Sequence, residues 1–187
     1  PEDVLPVALT GKTPVAFIAR ADFPGQTLDD LIAVARKSPG RLTYGSPGIG
    51  TFQHVLAETL KERAGVFMVH IAYRGGQQIV TDVMGGQIDI MCDGTASAAR
   101  QIASGKVKGL GVTSRTRLPV LPDLPTIAES GAPGYELSPW SAIFAPKNTP
   151  RPAIQRLEGA LNAALTDKDL MALFAKAGLV APSRELA

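Results

Sequence analysis

The sequence predicts an α/β protein with parallel-type sheets flanked by helices. Short β-branched runs alternate along the chain with segments of helical period, and glycines recur at the joints between them. Apolar residues make up 45% of the 187 residues and charged ones 19%, proportions that build a packed core rather than a disordered tail. A chain of this length forms one domain or two small lobes, not a large multidomain enzyme.

Pro14–Ala19 reads as the first strand. Thr27 is placed to cap a helix over Leu28–Lys37, which sets Leu28, Leu31, Ile32 and Ala35 on one face and stops at Ser38-Pro39-Gly40. Leu42–Tyr44 is a short strand. The glycine-rich loop Gly45-Ser46-Pro47-Gly48-Ile49-Gly50 then leads into a helix from Thr51, striped by Phe52, Val55, Leu56 and Leu60 and ended by Gly65. Val66–Ile71 is the next strand, and Gln77–Met84 the next helix, closed by Gly85-Gly86. Ile88–Cys92 reads as a buried strand, followed by a helix over about Ser97–Ala103 and a strand over Gly109–Thr113. After Ser114 the character changes: Leu118–Pro133 holds four prolines and is expected to wrap as a connector, with a short helix near Ile127–Ser130. Ser141–Ala145 is a strand, Arg151–Leu165 an amphipathic helix introduced by Pro150 and Pro152, and Asp169–Ala177 a final short helix.

The composition excludes several functions. Nineteen Lys plus Arg against 17 Asp plus Glu leave a net charge of +2, no footprint for nucleic acid, and aromatics at 5% offer no base-stacking platform. Cys92 stands alone, so no intrachain disulfide is expected, and with two histidines it completes no zinc site. Cysteine poverty suits the cytoplasm and the bacterial periplasm alike. No apolar run reaches the roughly 18 residues of a membrane helix. Pro1-Glu2-Asp3-Val4 has neither the basic nor the apolar region of a signal peptide, and a start at Pro1 instead of Met suggests trimming.

The glycine-rich loop is the most informative segment. A strand, a glycine loop and a helix in succession leave the first helical N–H groups unpaired at the loop mouth, where the helix dipole favours an anion. Gly48 and Gly50 permit close backbone approach, and Ser46 and Thr51 add hydroxyls. The dinucleotide fingerprint fails because Gln53 takes its last glycine position, and a phosphate-binding loop fails because Thr51-Phe52 follows Gly50; Gly11-Lys12-Thr13 lacks the earlier glycine. The loop therefore reads as an anion seat or as a tight turn that needs glycine for geometry alone.

Ser46 also invites comparison with a hydrolase nucleophile, with His54 and Asp93 as imaginable triad partners. The nucleophile elbow needs glycine where Tyr44 stands, and Pro47 follows the serine. His54 reads better as a helix-surface or ligand-facing donor, and His70 as a packed or edge histidine. Asp93 leaves a strand at the end where open α/β sheets bind ligands, or caps the following helix; Asp89 lies four residues before it. Arg74, after Tyr73, could supply charge to an anion or sit on the surface, and Trp140 could line a cleft or fill the core.

Several blocks carry a family resemblance: Tyr44-Gly45-Ser46-Pro47-Gly48-Ile49-Gly50-Thr51 with His54 beyond it, Val69-His70-Ile71-Ala72-Tyr73-Arg74-Gly75, and Gly85-Gly86-Gln87-Ile88-Asp89-Ile90-Met91-Cys92-Asp93. Gly111-Val112-Thr113-Ser114, Leu121-Pro122-Asp123-Leu124-Pro125-Thr126, Glu129-Ser130-Gly131 and Pro133-Gly134-Tyr135 extend it. In order and spacing the set resembles the tripartite tricarboxylate transporter substrate-binding proteins, the Bug-type periplasmic receptors, over almost the whole chain. The resemblance implies a periplasmic-binding-protein-like fold with one complete lobe plus part of a second. Residues 22–135 would be the ligand-binding lobe, and 1–21 with 136–187 the hinge strands and an incomplete first lobe.

It further implies an extracytoplasmic, periplasmic solute receptor without enzymatic activity, cofactor or metal. Such a receptor binds a small organic carboxylate and delivers it to the membrane permease subunits of the transporter. The positions matching the carboxylate seat are Ser46, Gly48, Gly50 and Thr51, with His54, Tyr73 and Asp93 as neighbours. Arg74 stands where the family commonly has Lys, and Cys92 where an aromatic is usual. The sequence begins well inside the family pattern and stops before its usual final helix. An oligomer that covers the incomplete lobe, or a fragment with a half-built seat and no binding activity, is therefore expected. A serine hydrolase using Ser46 is the alternative of a different class.

Overall fold

The computed structural model describes residues 2–182. In chain order the first elements are β1 (Val4–Lys12), β2 (Val15–Arg20), α1 (Leu28–Lys37), β3 (Thr43–Ser46), α2 (Phe52–Ala64), β4 (Val69–Ala72) and α3 (Gly76–Met84). They continue with β5 (Ile90–Gly94), α4 (Thr95–Ala103), β6 (Val107–Val112), β7 (Trp140–Pro146), α5 (Arg151–Ala164) and α6 (Lys168–Ala177). The chain divides into two compact units, one of residues 14–137 and one that joins 2–13 to 138–182. Residues 1 and 183–187, part of the segments assigned from sequence to the first lobe, lie outside the described residues.

The larger unit is a five-stranded sheet in the order β4-β3-β5-β2-β6. β3 runs parallel to β4 and β5, but β2 is antiparallel to both β5 and β6, so the sheet is mixed and the expected parallel arrangement holds for four of its strands. Strand β2, at residues 15–20, lies inside this sheet between β5 and β6; the sequence reading places residues 1–21 among the hinge strands and the incomplete first lobe. Its run Val-Ala-Phe-Ile-Ala is buried on both faces, as an interior strand requires. Phe17 and Ala19 join the core under α1 and α2 with Leu31, Tyr44, Leu56 and Leu60. Ala16 and Ile18 join the opposite core under α3 and α4 with Ile79, Val83, Met91 and Ala98.

Local chemistry explains the helices. Thr27 and Asp30 form a reciprocal capping box on α1, and Gly65 ends α2 in the left-handed conformation at φ 62°. The expected helix at Ile127–Ser130 is absent, because the Ile127 N–H donates to the Val112 carbonyl at 2.9 Å and ties the segment to β6. At the far end of β5, Asp89 accepts from Arg20 Nε at 2.9 Å and from the Thr43 N–H at 2.8 Å, a clasp across three strands.

In the smaller unit β1 pairs antiparallel with β7, and α5 and α6 carry no buried residue. Strand β1 has no sequence counterpart above. Pro6 and Gly11 break its pattern, and its register shifts next to both, a lapse that an isolated two-stranded ribbon tolerates.

Candidate functional site

Three strand–loop–helix units place their helix N-termini at one edge of the larger sheet. The parallel strands β3, β4 and β5 end there, and α2, α3 and α4 begin there, with Thr51, Gly75 and Gly94 as their N-cap residues. None of the three is capped by a side chain, and none has an acidic residue in its first turn. The contrast lies within the same unit: α1, which follows the antiparallel strand β2, has both a capping box and two first-turn aspartates. Uncapped N–H groups and the positive end of the helix dipole favour an anion.

Among these helix starts lies a cleft of ≈ 240 Å³. Pro47 and Gln53 line it from the α2 side, Gly76 and Gln77 from α3, and Asp93 and Ser97 from the β5–α4 junction; Ile79, Val80, Met91 and Cys92 supply the apolar part. Burial pushes the Cys92 thiol pKa well up, with the charge of Asp93 adding to the effect, so Cys92 is a packing group and not a nucleophile.

The glycine loop closes through its own hydrogen bonds. Gly48 takes φ 136° and Gly50 φ 81°, conformations that exclude ordinary side chains, although a Cβ at either would meet only open space. The Gly48 carbonyl accepts from the Thr51 hydroxyl at 2.7 Å, and the Gly48 N–H donates to Ser46 Oγ at 3.2 Å. Ser46 Oγ donates to the Gly48 carbonyl at 3.1 Å and lies 2.6 Å from His70 Nε2. If Ser46 gave its single proton to His70, the 3.1 Å contact would set two acceptors against each other; His70 therefore donates from Nε2.

Behind the loop is a polar stack. The His70 ring lies on Tyr44 with centroids 4.9 Å apart and meets His54 edge-on at 4.6 Å. The Tyr44 hydroxyl donates to Glu58 Oε1 at 2.5 Å, and Lys61 Nζ donates to the same oxygen at 2.6 Å. Burial lowers the His70 pKa, with the charges of His54 and Lys61 in support, so the ring is neutral. Burial, then the Glu58 carboxylate, pushes the Tyr44 hydroxyl above its ordinary range. Burial opposes the charge on Glu58, but its bonds from Lys61 and Tyr44 outweigh that and lower its pKa.

A profile described as "Tripartite tricarboxylate transporter family receptor" matches residues 2–184. This chain belongs to that family. Solved structures agree: the Rhodopseudomonas palustris protein Rpa4515 with adipate is 29% identical, with a TM-score of 0.84 over 96% of this chain and 60% of that one. The periplasmic binding protein BugD is 37% identical, with a TM-score of 0.80 over 95% and 60%. MatC from Rhodopseudomonas palustris, with bound malate, is 30% identical, with a TM-score of 0.80 over 97% and 62%. The chain spans about half the length of the curated relatives it matches. The family and these neighbours are substrate-binding receptors, not enzymes.

For a receptor lobe the placement of the sequence-derived residues is uneven. Asp93 lines the cleft, whereas Asp89 lies at the opposite end of β5. Gly48, Gly50 and Thr51 build the loop that enters α2. Ser46 is fully buried and braces that loop, which removes it as a hydrolase nucleophile because no scissile carbonyl can reach it. His54 belongs to the stack behind the loop. The Tyr73 hydroxyl donates to Asp82 at 2.8 Å, and burial followed by that bond pushes its pKa up to about 12. Arg74 is exposed, and Trp140, 62% exposed, belongs to β7 of the smaller unit. Sequence reasoning missed Gln53, Gln77 and Ser97. Their signal was positional: each sits two or three residues past an N-cap that follows a strand. Among the described residues no three His, Cys, Asp or Glu side chains group as metal ligands, and no helix is long and apolar enough to cross a membrane.

Proposed function

We propose that this chain is the ligand-binding part of an extracytoplasmic solute receptor. It seats the carboxylate of a small organic acid at the start of α2 and α3, in the cleft these helices share with α4, for delivery to the membrane subunits of a tripartite transporter. Residues 22–135, with strand β2 completing their sheet, form the binding lobe in this reading, and the remaining segments are hinge strands and part of the first lobe. The observation that carries it is the convergence of three helix N-termini on one cleft whose lining holds no Lys or Arg, with those of α2 and α3 uncapped and the start of α4 met by Asp93. A site of this kind binds an anion through backbone N–H groups and dipoles instead of a salt bridge. The adipate and malate bound by the two Rhodopseudomonas palustris neighbours support the same chemistry. The family and the periplasmic neighbour BugD support a periplasmic location.

The test is a titration of the isotope-labelled chain, followed by the amide resonances, with adipate, malate, succinate and citrate at constant ionic strength. Shifts should concentrate on Gln53, Gly76, Gln77 and Ser97 and saturate with at least one acid. If every acid leaves those amides unmoved to tens of millimolar while a neutral solute shifts them, the carboxylate reading is wrong.

A further inference from the structure

We infer that Asp93 makes the cleft selective for acids that carry a hydrogen-bond donor, an ammonium or hydroxyl group, besides their carboxylate. The inference rests on the carboxylate reading above and names the substrate class within it. Asp93 brings a negative charge into a cleft whose helix termini favour negative guests. Its Oδ1 accepts from the Gly94 N–H at 2.8 Å and its Oδ2 from Gln101 Nε2 at 3.0 Å. A carboxylate has about four acceptor positions, so each oxygen keeps capacity for a further donor. No Lys or Arg lines the cleft to take up that capacity or to balance the charge.

The same corner has too many acceptors. Gln101 Nε2 is shared between Asp93 Oδ2 and Ser97 Oγ, both at 3.0 Å, so one amide serves two acceptors that line the cleft. A donor-bearing guest suits such a corner; a second carboxylate facing Asp93 does not, because like charges at close range repel. Asp93 also sits at the start of α4, where its own charge meets the positive end of that helix, leaving the ends of α2 and α3 for the guest's carboxylate. Strands β4 and β5 are separated by β3 alone, so their ends lie about 10 Å apart at the usual strand spacing. That span, with Ile79, Val80, Met91 and Cys92 along the lining, suits a short aliphatic acid with its donor away from the bound carboxylate.

Matched acids test this: succinate against malate and aspartate, glutarate against glutamate, butyrate against 4-hydroxybutyrate and 4-aminobutyrate, by the same amide titration. Within each set the donor-bearing acids should bind at least tenfold tighter. Asp93→Asn should cut that ratio to threefold or less, chiefly by improving succinate and glutarate, and Gln101→Leu, which frees the Asp93 carboxylate from its holder, should narrow it as well. Asp93→Ser, read by amide dispersion alongside, separates loss of charge from loss of fold. Equal or tighter binding of the donor-free acids, or an unchanged ratio in Asp93→Asn, overturns the assignment of Asp93 while the carboxylate seat stands. Absence of binding by all of these acids overturns the seat itself and the selectivity with it.

Discussion

Replacing His70 with leucine isolates the brace that holds the ligand loop. Leucine keeps an apolar body against Tyr44 but removes the Nε2–H that reaches Ser46 Oγ at 2.6 Å. Ser46 is wholly buried, so no water replaces that donor. Leaving a buried group one bond short costs about 1–3 kcal/mol, and the lost ring stacking adds about 0.5–1 kcal/mol. A loss of about 2–3 kcal/mol makes opening of the sheet edge about 30- to 140-fold more frequent, at about 1.4 kcal/mol per tenfold. Native-state hydrogen exchange reads this directly at the amides of Gly48 and of Tyr73, whose N–H donates to the Ser46 carbonyl at 2.9 Å. Ser46→Ala should cost a similar amount, and the double variant little more than either, a coupling of about 1–2 kcal/mol. His70→Gln, which retains a donor, should recover part of the loss. Strict additivity of the two single variants, or a His70→Leu chain with unchanged protection at Gly48, would refute the brace.

Other outcomes follow from the same coordinates. Because burial depresses the His70 pKa, the unfolded chain binds the proton more readily; stability is fully present above about pH 6.5 and falls as pH drops toward the folded value, a slope that His70→Gln should flatten in urea titrations at stepped pH. Tyr44, His54, Glu58 and Lys61 are the groups that face the ring, so the same titration in Glu58→Gln checks their share. Gly45→Ala should destabilise by about 1–3 kcal/mol, since its Cβ would stand 2.6 Å from Ile79 Cγ2 and Ile88 Cδ1; Ile88→Val, which deletes the Cδ1 methyl, should return part of the lost urea midpoint. Gly48→Ala meets no neighbour but forces φ 136° on a side chain, a strain of about 1–3 kcal/mol that should appear as lost loop protection with the core amides unchanged.

The legible parts of the fold were those where local chemistry and burial agree. The bounds of α1 followed from Thr27, Asp30 and an apolar stripe because the capping box and the buried face coincide. The ends of α2 followed from Thr51 and Gly65, which the chain uses as its N-cap and its left-handed stop. What stayed hidden depends on distant partners. Nothing in Val15–Arg20 says that its neighbours run antiparallel, since a strand buried on both faces reads the same in either direction. Thr126 and Glu129 bond each other reciprocally as at a helix start, yet the backbone there is claimed by β6 and no helix follows.

The site divides along the same line. A glycine loop before α2 announces an anion seat locally, but an equally significant fact, that α3 and α4 are uncapped and open on the same cleft, is a property of the strand order. The loop's hydroxyls misled for a physical reason. Ser46 and Thr51 look like donors aimed at a guest, whereas both spend their protons on the Gly48 carbonyl. The groups left to face a ligand are therefore backbone amides and the residues just past each N-cap, whose side-chain identity is loosely constrained. Recognition by backbone tolerates substitution in the lining, so selectivity among acids falls to the few side chains that carry charge or unmet acceptors. In this cleft Asp93, held by Gln101, is the residue that meets that description, and the matched-acid titration therefore bears on how this receptor lobe tells one carboxylate from another.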